Sequence, residues 1–65
     1  MSTVNVPQAA ALLQVHPKTV LELINTGALA AGQVGRAYVM LTKDVLQYLE
    51  TTIIRQTAER MRRRK

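Results

Sequence analysis

The stretch "QAAALLQVHPKTVLELINTGAL", residues 8–29, constrains the fold more than any other part of the chain. Two short apolar-periodic segments are parted by a polar break, and the second stops at a glycine. In that second segment Val20, Leu23 and Ile24 recur at the three- and four-residue spacing of one buried helical face. Lys18, Thr19, Glu22 and Asn25 fall on the other face. His16 stands at the cap position and Pro17 at the first helical position, while Gly27 sits where a left-handed residue ends a helix. The first segment has its own start signal. Asn5 is a preferred N-cap, Gln8 can reach back to the cap's N–H as in a capping box, and Pro7 fits the first turn. This helix runs through Ala9, Ala10, Leu12 and Leu13 and breaks near Gln14.

Beyond Leu29 the pattern changes. "AAGQVGRAYVML" has β-branched or aromatic residues at Val34, Tyr38 and Val39, and Gly35 and Arg36 lie between its two short apolar runs. The pattern predicts a hairpin that turns near Gly35. A two-stranded ribbon is not stable alone, so it must pack on the helices. Thr42 then caps a third helix, with Asp44 in the first turn where the helix dipole favours a negative charge. Val45, Leu46 and Leu49 make its apolar stripe. "TTII", residues 51–54, is a poor helix former, yet "RQTAERMRRRK" holds good helix formers and no breaker. The third helix is therefore expected to continue past Glu50 and to fray near Arg62. The order helix, turn, helix, hairpin, helix is that of a winged helix-turn-helix, mainly α with a small β-hairpin as the wing. Residues 1–50 form this domain, and residues 51–65 form a basic helical extension or tail.

Composition excludes several classes. A 65-residue chain buries only about 60% of its unfolded surface. With no cysteine there is no disulfide, and His16, the single histidine, cannot build a metal site alone. No two residues form an acid–base, nucleophile or metal constellation, so neither an enzyme nor a cofactor is expected. Tyr38 and Tyr48 are the only aromatics, too few for a platform that stacks single-stranded bases. No apolar run approaches the ~18 residues of a membrane span, and the polar first residues argue against a signal peptide. A location inside the cell is expected.

Charge is unevenly placed. Residues 1–54 hold Lys18, Arg36 and Lys43 against Glu22, Asp44 and Glu50, a sum of zero. Residues 55–65 hold Arg55, Arg60, Arg62, Arg63, Arg64 and Lys65 against Glu59, a sum of +5. The tail carries the whole excess. A basic block of this kind meets a polyanion, either nucleic acid or an anionic membrane, or else is a solvated terminus.

At this point the chain is recognisably similar to known proteins. "VNVPQAAALLQVHPKTVLELINTGAL" followed by "VGRAYVMLTKDVLQYL" resembles the excisionase family of phages and mobile elements, whose DNA-binding domain is MerR-like. The resemblance covers roughly residues 3–49. It rests on Ala9 and Ala10, Val15, the "KTV" of Lys18 to Val20, the "GAL" that starts at Gly27, the "VGR" of Val34 to Arg36, and "DVLQYL". It implies a protein that binds double-stranded DNA beside an integrase's attachment site, often cooperatively or as a homo-oligomer. Such a protein bends the DNA so that the integrase favours excision. It would act in the bacterial cytoplasm, on the nucleoid, with no membrane partner. A small transcriptional regulator of the same fold is the nearest alternative, and a protein- or membrane-binding module built on the basic C-terminus is another. In this architecture Ala10 lies where the first two helices cross, Val15 and Val20 fill the angle between them, and the second helix enters a major groove. The chain departs from the family where Gln14 replaces the usual glycine of the turn and His16 the usual serine cap. Leu21, Glu22 and Val39 stand where the family often has arginines.

The candidate DNA-binding residues are thus His16, Lys18, Thr19, Glu22 and Asn25 on the second helix, Arg36 at the wing tip, and the tail cations Arg55, Arg60, Arg62, Arg63, Arg64 and Lys65. Lys18 and Thr19 suit phosphate or base-edge contacts. Glu22 can accept from a cytosine amino group or pair with Lys18 on the helix surface. Ile53, Ile54, Ala58 and Met61 either fold back on the core or form a self-association surface. Deletion of residues 55–65 is expected to leave the fold intact and to weaken binding to any duplex. If roughly four tail cations touch phosphates, the slope of log K against log salt falls by about 3 to 4 units. Titrations of both forms at several salt concentrations, with melting curves, check this. A full slope in the truncated form would make the tail a solubility appendage.

Overall fold

The computed structural model describes residues 2–63. Its elements follow in the order β1 (Thr3–Val4), α1 (Val6–Leu13), α2 (Pro17–Asn25), β2 (Gly32–Val34), β3 (Ala37–Leu41) and α3 (Thr42–Arg63). The capping box of α1 is complete. Asn5 Oδ1 accepts from the Gln8 N–H and Gln8 Oε1 accepts from the Asn5 N–H, both at 2.9 Å. The helix stops at Gln14, which is left-handed at φ 56° and ψ 46°. The next N–H, of Val15, donates to the Ala10 carbonyl at 3.0 Å. A side chain in this region costs about 1 kcal/mol, which glycine would avoid. The α2 helix closes on Gly27, at φ 81°. There the N–H groups of Ala28 and Leu29 and the Thr26 hydroxyl all donate to the Leu23 carbonyl, at 2.9, 3.1 and 3.2 Å. Carbonyls left unpaired at the helix end are satisfied in this way.

The sheet has three antiparallel strands in the order β1-β3-β2. Val34 pairs with Ala37, so Gly35 and Arg36 alone make the turn of the wing. Gly35 has φ 63° and Arg36 is not left-handed, the pattern of a II′ hairpin turn with glycine first. Strand β1 departs from the two-stranded ribbon that the sequence predicts. Thr3 pairs with Leu41 and Val4 with Met40. A two-residue strand is too short for alternation to show, and only its partner reveals it. Ser2 extends the pairing: its carbonyl accepts from the Thr42 N–H at 3.1 Å, and its hydroxyl donates to Thr42 Oγ1 at 2.8 Å. Thr42 is therefore not the free cap expected from the sequence. It lies within α3 and its hydroxyl is taken up by Ser2.

The core is small and every layer feeds it. Ala9, Ala10 and Leu13 come from α1, Val20 from α2, Met40 from β3, Val45 from α3, and Leu29 from the segment before the wing. Val4, Val6, Leu23, Ile24, Ala31, Tyr48 and Leu49 pack around them, half-buried. Three expected core positions lie outside. Val15, which follows the left-handed Gln14, is 39% exposed, whereas Val20 is fully buried. Leu12 and Leu46 are also exposed. The face of α3 that meets the body is set by Val45, Tyr48, Leu49 and Thr52, and Leu46 falls on the next face round. The α3 helix is about 33 Å long at 1.5 Å per residue. Thr52 is its last half-buried residue, and every residue from Ile53 to Arg63 is exposed. The molecule is accordingly drawn out to 50 × 23 × 19 Å. The expected continuation past Glu50 is present and reaches Arg63, and the alternative in which Ile53, Ile54, Ala58 and Met61 fold back on the core is not what the structure shows.

Two substitutions probe these points in opposite directions. Ala10→Leu forces α1 off α2, and overpacking of this kind costs about 1–3 kcal/mol. Gln14→Gly removes the left-handed strain at no packing cost and is expected to raise the melting temperature by about 4–8 °C per kcal/mol relieved. Melting followed by circular dichroism reads both. An unchanged Ala10→Leu variant would mean that the helices do not meet at Ala10.

Candidate nucleic-acid interface

The outer stripe of α2 is polar by construction. Lys18, Glu22 and Asn25 follow the helical repeat with Leu21 among them, and all four are exposed. Val20, buried completely, and the half-buried Leu23 and Ile24 hold the opposite side to the core. Thr19 lies at the edge between the two and is half-buried, which narrows what its hydroxyl can reach.

His16 caps the helix, as its position in the sequence implies. Its backbone is extended at φ −69° and ψ 143°, and its Nδ1 accepts from the Lys18 N–H at 3.0 Å. With Nδ1 used as acceptor, the neutral ring carries its proton on Nε2. An exposed N–H donor thus stands at the start of the helix, while the first-turn N–H groups of Lys18 and Thr19 are both taken up by His16, at 3.0 and 2.9 Å. The ring N–H suits a phosphate oxygen.

The wing lies on the same side. Arg36, Ala37 and Tyr38 of the hairpin, Leu21 of α2, and Asn5, Val6 and Pro7 at the start of α1 line one open groove. Through Leu21 the outer stripe of α2 borders the same groove as the wing tip. Tyr38 and the start of α1 do not stand out in the sequence. The available signal for Tyr38 is its place in the strand that leaves the turn just after Arg36.

The remaining cations are elsewhere. Lys43 lies in the first turn of α3, and Arg55, Arg60, Arg62 and Arg63 lie on its projecting half, all exposed. Arg64 and Lys65 lie outside the described residues. The site thus has two parts, a nearly neutral head carrying Lys18 and Arg36, and a basic rod. No helix of the described residues is long and apolar enough to cross a membrane.

A capped helix-turn-helix followed by a hairpin wing is the arrangement of a DNA-binding module, in which the second helix of the pair is the reading helix. Residues 3–52 match the family model described as a helix-turn-helix domain, and the chain belongs to that family. It is a DNA-binding domain found in excisionase-like proteins, and it indicates sequence-specific binding to double-stranded DNA. No curated protein and no solved structure gives a significant match.

Lys18→Ala and Arg36→Ala are each expected to weaken binding and to lower the salt slope by about 1, with little change among sequences. Glu22→Ala is expected instead to relax preference at a single base position, worth about 1–3 kcal/mol. Binding selections and salt titrations separate the two behaviours. Unchanged affinity in both cation variants would sink the docking on this face.

Proposed function

We propose that the protein is an excisionase, a recombination directionality factor of a phage or mobile element, with a MerR-like reading head. The observation that carries the reading is the match of residues 3–52 to a domain found in excisionase-like proteins. The geometry fits the task. One helix would enter a major groove and one short wing the adjacent backbone or minor groove, and the polar groups of the head lie along an open face. Such a protein acts by binding and bending DNA and does no chemistry of its own. Its partner would be an integrase in the cytoplasm of a bacterial host, where both work on the nucleoid.

The weak charge of the head also suits this role. With Lys18 and Arg36 as its cations, a single head holds DNA loosely, and a directionality factor works where several copies assemble on neighbouring sites. The test is an integrase reaction on attachment-site DNA. Added protein is expected to stimulate excision, suppress integration, and footprint beside the attachment core. A protein that footprints only at a promoter, changes transcription, and leaves both reactions untouched would be a transcriptional regulator instead.

A further inference from the structure

The outer stripe of α2 carries one side chain that neither the core nor the polar surface accounts for. Leu21 is 38% exposed and is the one exposed large apolar residue of that helix. It takes no place among the half-buried residues that pack around the core. Lys18 stands three residues before it and Asn25 four after, so the three share a face, with Glu22 alongside. A lone apolar residue on a surface is ordinary and carries nothing by itself. Its surroundings give this one a meaning. Leu21 borders the groove that Arg36 and Tyr38 of the wing share with Val6 and Pro7 of α1. It adjoins Lys18 along the helix and Arg36 across the groove, so a duplex held by these two cations covers it.

We propose that Leu21 is a specificity-determining residue that reads the C5 methyl group of a thymine in the major groove. The inference rests on the DNA-binding reading and deepens it. Chemistry leaves the side chain few choices. An isobutyl group neither donates nor accepts a hydrogen bond, so the ring nitrogens, carbonyls and amino groups of the base edges offer it nothing. Pressed against one of them, it takes that group from water and leaves it without a partner, which is unfavourable. The thymine methyl is the only methyl that the four bases present in the major groove. Glu22, the next residue, suits a cytosine amino group, so the helix sets an apolar contact beside a polar one. Burial of one methyl-sized group is worth about fourfold in affinity.

Uracil differs from thymine only in lacking this methyl, so the contact can be isolated from the DNA side. Selection from random duplexes first yields a preferred site. Each thymine of that site is then replaced in turn by uracil, and binding is measured for the unaltered protein and for Leu21→Ala. At one thymine per bound head, the replacement is expected to weaken the unaltered protein about fourfold. The same replacement is expected to leave Leu21→Ala unaffected, the coupling that marks a direct pair in a double-mutant cycle. Leu21→Ala is expected to melt like the unaltered protein, because Leu21 lies outside the core cluster. Leu21→Arg is expected to move the preference at that base from thymine to guanine, whose O6 and N7 take a guanidinium. A site in which no thymine is sensitive to uracil overturns the proposal, as does a sensitivity that Leu21→Ala retains in full. So does a Leu21→Ala protein that melts lower and keeps its sequence preference, which makes the residue a piece of packing. In each of these cases specific binding to the selected site still stands. A protein that binds no duplex, or that enriches no sequence, overturns the reading of sequence-specific DNA binding and this inference with it.

Discussion

The close approach of α1 to α2 is the contact on which the rest of the structure depends. Ala9 and Ala10 bring no side chain bulk to the crossing, and Val20 fills the space they leave. Because each element gives the core only a few side chains, nothing else can replace this contact if it loosens. It also sets the angle at which the outer stripe of α2 leaves the body. Packing and reading are thus two faces of one nine-residue helix. The strained Gln14 persists because the Val15 N–H bond to Ala10 and the burial of Val20 on either side over-determine the turn.

The wing is held by the opposite end of the chain. Strand β3 takes β1 on one edge and β2 on the other, so it is the sheet's centre rather than one arm of a free hairpin. Since β1 leads into α1 through the Asn5 cap, the wing and the first helix are tied by backbone hydrogen bonds. That tie brings Arg36 and Tyr38 into one groove with the start of α1 and with Leu21. A two-residue turn with glycine at its left-handed position then keeps Arg36 at a short, stiff tip.

Charge and shape are divided between the two halves of the molecule. The head supplies form and hydrogen-bonding groups with almost no net charge, and the rod supplies the positive charge. Electrostatic attraction drives most non-specific duplex binding, and base contacts distinguish sequences. The separation lets either property change without disturbing the other.

Much of this was legible in the residues. The capping box at Asn5 and Gln8, the His16–Pro17 start, Gly27, and the Gly35–Arg36 turn are local signals, and local chemistry places them without knowledge of the rest. The neutral body and basic tail follow from counting charges. Strand β1 was not legible, because two residues carry no period and the strand exists only through β3. The outward positions of Val15 and Leu46 were not legible either, since an apolar residue beside a core face is classed by its neighbours' orientation rather than by its own chemistry. The same holds for Ile53, Ile54 and Met61, which read equally well as core or as surface until the length and direction of α3 are known. The sequence determined where α1, α2 and the turn of the wing begin and end, because caps and turns act over a few residues. Tertiary structure alone decided which apolar side chains meet and which cations share a groove, because those depend on segments far apart in the chain.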